Sequence, residues 1–281
     1  MIASPRIADP ATPDRATGRA DRLVNHLTGL WRFRELVRNL VIRDLKARYK
    51  NSILGFLWSL ANPLMMMGVF TLVFTTVFPN PIEAYPVFVL SGLLAWNWNV
   101  TSVMGGVFAI TGNAHLIKKV SFPRELLPLS TVLSNGVNFL LAMIPLLVVA
   151  AIYFRFPTPL MLLLPFIVVV QAIFLTGVAL FLACLNVYFR DTEPIMDVVT
   201  LAWFFLTPVF YTVENLSQQY SRWIYILNPM ASFISTYRLI FYYQSPPAWD
   251  FLLRMTVQSI IVFAIGYAFF NRFAANFGEE V

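Results

Sequence analysis

The chain has 281 residues, of which 58% are hydrophobic and only 12% are charged, against about 25% charged in soluble proteins. This composition excludes an ordinary soluble protein and predicts an integral membrane protein. Eleven of the 20 Lys and Arg residues lie before residue 55, against five acids, so the whole net charge of +6 belongs to the N-terminal part. Such a basic region favours anionic lipid and a cytoplasmic N-terminus rather than nucleic acid.

The N-terminal 50 residues divide into a polar tail and an amphipathic segment. Residues 1–30 are polar, which predicts a disordered cytoplasmic tail without a cleavable signal peptide. Residues 31–50 combine an apolar stripe at helical spacing with a polar, mostly basic opposite face, which predicts a helix lying along the membrane surface. The stripe is Phe33, Leu36, Val37, Leu40 and Val41, and the opposite face is Arg32, Glu35, Asn39, Arg43, Lys46 and Lys50.

Six apolar segments follow, and each is predicted to cross the membrane. The first, residues 55–78, has no charged residue, and its length as a helix of about 36 Å exceeds a hydrocarbon core of about 30 Å. The second is long and holds Gly105 and Gly106, which predicts a bend or break. The predicted spans are residues 55–78, 86–112, 126–154, 160–186, 198–211 and 255–271.

Residues 212–250, before the last span, are predicted to form a re-entrant region on the periplasmic side. Their apolar pieces are too short to cross and are interrupted by Asn228 with Pro229 and by Pro246 with Pro247. The predicted outer loops hold only the scattered bases Arg155, Arg222, Arg238 and Arg254. Because inner loops carry the excess of Lys and Arg, the fold class is an all-α polytopic membrane protein with both termini in the cytoplasm.

The predicted spans lack the groups that catalysis or ion coupling requires. No acid lies inside a span, and the nearest histidine, His115, lies at the edge of one. Proton- and sodium-driven transporters need such groups at membrane depth. The phosphate-binding motif Gly-x-x-x-x-Gly-Lys-Ser/Thr is absent, and the single cysteine, Cys184, excludes a disulfide framework. We therefore expect no catalytic residue, metal site or cofactor in this chain, and a separate subunit to power any uphill transport.

Residues 113–125 are the natural contact for such a subunit. They combine an apolar pair, Leu116 and Ile117, with two lysines and a proline-fixed exit at Pro123. This pattern is typical of a short helix that docks into a groove on a soluble partner. A solvated loop whose bases follow membrane topology explains the same residues, and the two alternatives stay open on composition alone.

Four stretches resemble a known family. Residues 43–64 read RDLKARYKNSILGFLWSLANPL, residues 116–128 read LIKKVSFPRELLP, residues 187–194 read VYFRDTEP and residues 227–230 read LNPM. In this order they resemble the opening segment, the two cytoplasmic loops and the periplasmic re-entrant region of ABC-2 type permeases. The resemblance is to those members of the family that export polysaccharides, O-antigen, teichoic acid and other lipid-linked glycopolymers.

The resemblance implies a permease of the cell inner (cytoplasmic) membrane that forms a homodimer and joins two ATP-binding-cassette subunits. Those partner subunits would bind the ATP and Mg. It also implies an interface helix at residues 31–50, a coupling helix within residues 113–125, and a channel between the two copies for an undecaprenyl-diphosphate-linked glycan. The implied contacts with the ATPase subunit are Leu116, Ile117, Lys118, Lys119, Phe122 and Arg124.

Aromatic side chains are the candidates for lining that channel, because ring faces hold sugars by stacking. Three of them recur every four residues along the first span. Packing between helices and the aromatic belt of the membrane surface are the alternatives. The candidates are Phe70, Phe74, Phe78, Tyr85, Trp96, Trp98, Trp203, Phe204 and Tyr211.

Three basic residues are candidates for contact with the lipid diphosphate headgroup. Arg43, Arg48 and Lys50 lie where the predicted surface helix meets the first span, and the planar guanidinium of arginine suits phosphate. The alternative is that these bases serve topology and bind anionic lipid.

Two other functions remain open from the sequence. An ABC-2 permease for a drug or a small lipid is disfavoured by the sugar-exporter motifs and the re-entrant region. A membrane-embedded glycosyl- or acyltransferase is disfavoured because acids and histidines do not cluster near a span end. The identity of the polymer is not encoded in any motif identified above.

Overall fold

The fold is helical throughout the residues that the structure, a computed structural model, describes: 33–50, 57–77, 82–120, 122–154, 157–212, 218–274 and 277. Within these ranges there is no β-strand. The predicted tail at residues 1–30 lies outside the described residues, as does Phe78.

The helices are labelled in chain order. A π-helical turn at Val73–Val77 extends α2, a 3-10 turn at Thr111–Asn113 precedes α4, and another at Pro159–Leu163 precedes α6. The α-helices are α1 (Arg34–Tyr49), α2 (Leu57–Leu72), α3 (Tyr85–Val107), α4 (Ala114–Lys119), α5 (Leu126–Tyr153), α6 (Leu164–Tyr188), α7 (Thr192–Leu206), α8 (Gln218–Leu227), α9 (Pro229–Phe241) and α10 (Trp249–Phe273).

Among the described residues, five helical segments are long and apolar enough to cross a membrane. They correspond in position to five of the six predicted spans. The second ends directly after Gly106, so the predicted break in residues 86–112 is present. The five segments are Leu60–Val77, Tyr85–Val107, Leu126–Tyr153, Pro159–Tyr188 and Trp249–Phe273.

The predicted span at residues 198–211 differs most from the structure. Its helix, α7, begins earlier, ends at Leu206 and has 15 residues, which gives about 22 Å and is less than a hydrocarbon core. The helix ends because Thr207 precedes Pro208 and adopts an extended conformation, with ψ at 133°. The apolar sequence continues into the turn beyond it, so hydropathy alone places the boundary too late. A sixth crossing stays a prediction.

The centre of the fold is α3, which packs against α2, α5, α6 and α9. The two ends of α3 define the two ends of the helical bundle. Near Val107, Leu40 of α1 and Ile117 of α4 pack into one apolar cluster with Ile110 and Leu127. Near Tyr85, α3 meets α9, which lies at the opposite end. We call these the α4 end and the α9 end.

The predicted amphipathic stripe of α1 faces the protein. Leu40 is buried and Leu36 is half-buried against the same cluster, whereas Arg43, Lys46 and Lys50 are exposed. The inner face of α1 packs against α5. The helix therefore has the two faces that its sequence predicts, and its contact with a membrane surface stays a prediction.

The break predicted at Asn228 is also present. Asn228 is the N-cap of α9, and its side-chain oxygen accepts a hydrogen bond from the Met230 backbone N–H at 3.1 Å. Pro229 occupies the first turn, where a missing N–H costs nothing. This pair separates α8 from α9, as the sequence predicts for the re-entrant region.

Candidate functional site

The clearest site is a cleft of about 400 Å³ between α1, α2, α3 and α5. Arg48 lies at its edge and donates from Nη2 to Asn135 Oδ1 at 2.7 Å. Asn135 in turn donates from Nδ2 to the Thr101 carbonyl at 3.1 Å. The hydroxyl of Tyr49 donates to Asn138 Oδ1. The last turn of α1 is thus tied to the amides of α5, and the cleft is named here the arginine–amide cleft.

The arginine–amide cleft has a lining suited to a polar, sugar-like ligand. Asn62 and Asn97 add two more amides, and Trp58 and Trp98 add two indole rings. The Nδ2 group of Asn138 is buried and has no hydrogen-bond partner among the described residues. A buried donor without a partner is rare in folded proteins, so this amide is available to a ligand or a water molecule.

The cleft extends from the α4 end towards the middle of the bundle. Along α3 its lining runs from Thr101 to Leu94, and along α5 from Asn135 to Ala142. At the rise of an α-helix, these positions lie about 10 to 24 Å from the ends of α3 and α5 at the α4 end. A ligand that enters beside Arg48 would therefore reach membrane depth between α3 and α5.

The structure separates the three predicted headgroup residues. Both Arg43 and Arg48 are exposed, but Arg48 lines the cleft and contacts Asn135, whereas Arg43 lies outside it and pairs with Asp44 at 2.8 Å. Lys50 is exposed at the end of α1 and is not part of the cleft lining. Of the three, Arg48 has the geometry for a ligand in the cleft.

Most of the predicted aromatic candidates lie in one cluster that is not part of the cleft lining. Four of them contact Phe210, whose ring centroid lies 5.5 Å from that of Phe74 and 5.6 Å from that of Phe204. In the single chain these rings pack on one another, and their role in a glycan path stays a prediction. The cluster comprises Phe70, Phe74, Tyr85, Trp96, Trp203, Phe204, Phe210 and Tyr211.

Trp98 is placed differently from the other aromatic candidates. It lines the arginine–amide cleft, stacks on Phe139 with ring centroids 4.8 Å apart, and donates from Nε1 to the Val132 carbonyl at 3.2 Å. Its ring is therefore fixed between α3 and α5. Trp98 is the aromatic candidate that the structure places beside the candidate headgroup residue Arg48.

The six predicted contacts with an ATPase subunit lie at the α4 end, but their exposure differs. Lys118 and Lys119 are exposed, whereas Leu116, Ile117 and Phe122 are half-buried and pack on the protein's own apolar cluster. Arg124 donates to the Ala274 carbonyl and lies over the Phe277 ring. The exposed surface of this region is thus basic, and much of its apolar side chain area supports the short helix internally.

Arg238, predicted from the sequence as a base of an outer loop, is buried in the structure. It is 4% exposed, and its guanidinium carbon lies 3.6 Å from the centroid of the Phe88 ring. Its N–H groups donate to the carbonyls of Pro208, Val209 and Tyr211, in the turn after α7. Burial lowers the pKa of Arg238 to about 9, so the side chain stays cationic at neutral pH.

The residues of these sites are suited to binding a ligand. Arg48 can bind an anion, and the amides and indole rings can bind hydroxyl groups and sugar faces. Within the described ranges, no group of three or more His, Cys, Asp or Glu residues could hold a metal ion. Asn135, Asn138 and Phe210 are not among the residues predicted from the sequence, although amides inside uncharged spans are a signal that could have indicated the first two.

Comparison with known proteins shows which family the chain is similar to. The chain matches the ABC-2 type transporter family over residues 35–242. It is 37% identical over 253 residues to the O-antigen export system permease protein RfbA of Myxococcus xanthus, covering 90% of this chain and 97% of that protein. A Klebsiella pneumoniae protein of the same name is 34% identical over 239 residues, covering 84% and 91%.

A more distant relative has a related name. The polysialic acid transport protein KpsM of Escherichia coli is 22% identical over 214 residues, covering 72% of this chain and 79% of that protein. The family match spans most of the chain and includes α1 to α9. The chain therefore belongs to the ABC-2 type transporter family.

Proposed function

We propose that this chain is the permease subunit of an ABC exporter that carries a lipid-linked polysaccharide of the O-antigen class across the cell inner membrane. The names of the relatives support the substrate class. The arginine–amide cleft supports it chemically, since it joins one guanidinium to amides and indole rings. An enzyme of glycan transfer would require a base or nucleophile that the described cleft lining does not offer.

In this proposal, two copies of the chain assemble with two ATP-binding-cassette subunits, which bind ATP and Mg. Both termini lie in the cytoplasm, and α7 (Thr192–Leu206) with the turn after it contributes the sixth crossing. The exposed basic surface at Lys118 and Lys119 supports the α4 end as the ATPase-facing end. α1 lies at the same end, as an interface helix would.

The channel would lie between the two copies. Residues on the outer faces of α2 and α7, among them Val69, Leu72 and Phe205, are exposed and apolar. Phe70 and Phe204, on the inner faces of the same helices, belong to the aromatic cluster. A second copy packed against these faces would place the cluster close to the shared path. The proposed cargo is a glycan carried on undecaprenyl diphosphate.

The observation that carries the proposal is the position of Arg48. Its guanidinium is the only cationic group in the described lining of the cleft, and it lies at the edge, where a diphosphate would arrive from the cytoplasmic side. A bidentate guanidinium contact would hold the diphosphate, and the first sugars would lie against Trp98 and the amides. Arg48 therefore selects the charged end of the cargo.

Replacing Arg48 with glutamine is expected to weaken recognition of the cargo without disturbing the fold. Glutamine keeps a polar side chain but removes the charge, and one charge-assisted contact corresponds to about a tenfold change in affinity. We expect the concentration of lipid-linked glycan that half-saturates stimulation of ATP hydrolysis to rise about tenfold. The measurement uses the complete complex in proteoliposomes.

The matched control is Arg38→Gln, which removes an exposed arginine from the same helix but away from the cleft. It should leave the half-saturating concentration unchanged. If neither variant changes the half-saturating concentration, or if both raise it equally, Arg48 has no specific role in binding the cargo. Dimer assembly and basal ATP hydrolysis should be normal in both variants.

A further inference from the structure

A second cavity, of about 530 Å³, lies at the α9 end, opposite the arginine–amide cleft. It is lined by residues of α8, α9, the first turns of α10 and the segment between α9 and α10, together with Phe88 of α3 and Thr212. Arg238 and Arg254 both line it, together with Tyr225 and Ser235. Two cationic side chains in one cavity of a membrane protein require an explanation, because such groups are costly and usually functional.

Arg254 is the less satisfied of the two arginines. Its Nε atom is buried and has no hydrogen-bond partner among the described residues. Its guanidinium carbon lies 5.0 Å from the centroid of the Phe251 ring, and no carboxylate of the described residues forms an ion pair with it. A buried guanidinium N–H without an acceptor costs free energy, which an anionic ligand would recover.

Arg238 adds a second, fixed positive charge. Its N–H groups are held by backbone carbonyls, so its charge is oriented but not neutralised by a carboxylate. Asp250 also lines the cavity and is exposed. Two guanidinium groups and one carboxylate leave one net positive charge in the cavity, and the N-terminus of α10 adds the positive end of its dipole.

Neutral donors complete the lining. The hydroxyls of Tyr225 and Ser235 lie 3.1 Å apart and share a hydrogen bond. Both face the same cavity as Arg254. Hydroxyl donors beside guanidinium groups suit the several acceptor oxygens of a phosphate better than the two oxygens of a carboxylate.

We propose that this cavity binds a phosphate-type anion, with Arg254 as its direct ligand and Arg238 as a fixed supporting charge. The anion is either the diphosphate headgroup of the exported lipid or free phosphate. This inference rests on the proposed function only for the identity of the lipid. The protein then has two anion sites, at Arg48 and at Arg254, separated by about 20 Å along α3 from Thr101 to Phe88.

The test uses the full chain in phosphatidylcholine nanodiscs, with Arg48→Gln as the background that weakens binding in the cleft. Binding of inorganic pyrophosphate and of farnesyl diphosphate is measured by microscale thermophoresis. Arg254→Gln should weaken binding about tenfold, because it removes the direct contact. Asp250→Asn should tighten binding about threefold, because it removes a repelling charge. The control Arg272→Gln alters an arginine at the other end of the same helix and should change nothing.

The two ligands distinguish the source of the anion. Equal effects on both support a site for the phosphate group itself, and binding of farnesyl diphosphate alone supports a site for the lipid headgroup. If neither Arg254→Gln nor Asp250→Asn changes either affinity, the inference is overturned. If Arg254→Gln does not fold, the test rests on Asp250→Asn, because Asp250 is exposed. Tighter binding by this variant supports the site, and unchanged binding overturns the inference. Glycan-stimulated ATP hydrolysis by the parent complex reports separately on the proposed function.

Discussion

Replacing Arg238 with methionine is expected to destabilise the protein by about 3–5 kcal/mol, because buried carbonyls lose their donors. Methionine matches the stem of the arginine side chain out to Nε but carries no guanidinium and cannot donate. The carbonyls of Pro208, Val209 and Tyr211 lie in a turn and depend on this guanidinium. The turn after α7 should separate from α9, and the thermal unfolding midpoint of the purified protein should fall sharply. Fluorescence-detected size-exclusion chromatography after heating measures it.

Two further variants make this expectation specific. Arg190→Met removes an exposed arginine and should leave the midpoint unchanged. Arg238→Lys retains the charge but not the planar set of donors, so its unfolding midpoint should lie between those of the parent and Arg238→Met. If Arg238→Met unfolds at the same temperature as the parent, Arg238 does not hold the turn and the helix together.

Gly177→Leu is expected to destabilise the protein by about 3 kcal/mol or more, because α6 and α10 cross in backbone contact there. A Cβ atom at Gly177 would lie 2.5 Å from the Phe263 Cα and 2.6 Å from its N. A Cβ at Gly266, on the facing helix, would fall onto the carbonyl group of Gly177. Neither backbone can move without separating the helices, and small residues at such crossings are typical of membrane proteins. The same heating assay measures the effect.

The matched control is a glycine in open space. Apart from the backbone of α2 itself, no atom of the described residues lies within 4 Å of a Cβ built on Gly68, so Gly68→Ala should be neutral or slightly stabilising through its higher helix propensity. Gly177→Ala should already lower the midpoint, since even one methyl group collides with Phe263. Equal midpoints for Gly68→Ala and Gly177→Ala would contradict the proposed close crossing.

The sequence predicts the helices well where their boundaries and faces depend on residues that are close together in the chain. The break between α8 and α9 follows from Asn228 and Pro229, which cap and start a helix by interactions within three residues. The stripe on α1 follows from the spacing of Leu36 and Leu40. Phe70 and Phe74 are likewise neighbours because they are four residues apart on one helix, and their rings stack at 6.2 Å.

The sites are harder to predict because they depend on distant residues. Arg48 and Asn135 are 87 positions apart in the chain, and neither shows which residue it will contact. Phe210 lies in a turn, outside the helical spacing that identifies the other rings. From the sequence, Arg238 is indistinguishable from a base in a loop. Its acceptors are backbone carbonyls, which every residue has, so no residue type indicates them.

The central claim is that this chain is a transport path driven by a separate ATPase. The direct test reconstitutes the purified chain in proteoliposomes with and without its ATP-binding-cassette partner, and follows the arrival of a fluorescent lipid-linked glycan at the opposite leaflet. We predict translocation only when both the partner and ATP are present. Translocation by the chain alone, whether spontaneous or driven by a proton or sodium gradient, would contradict the claim.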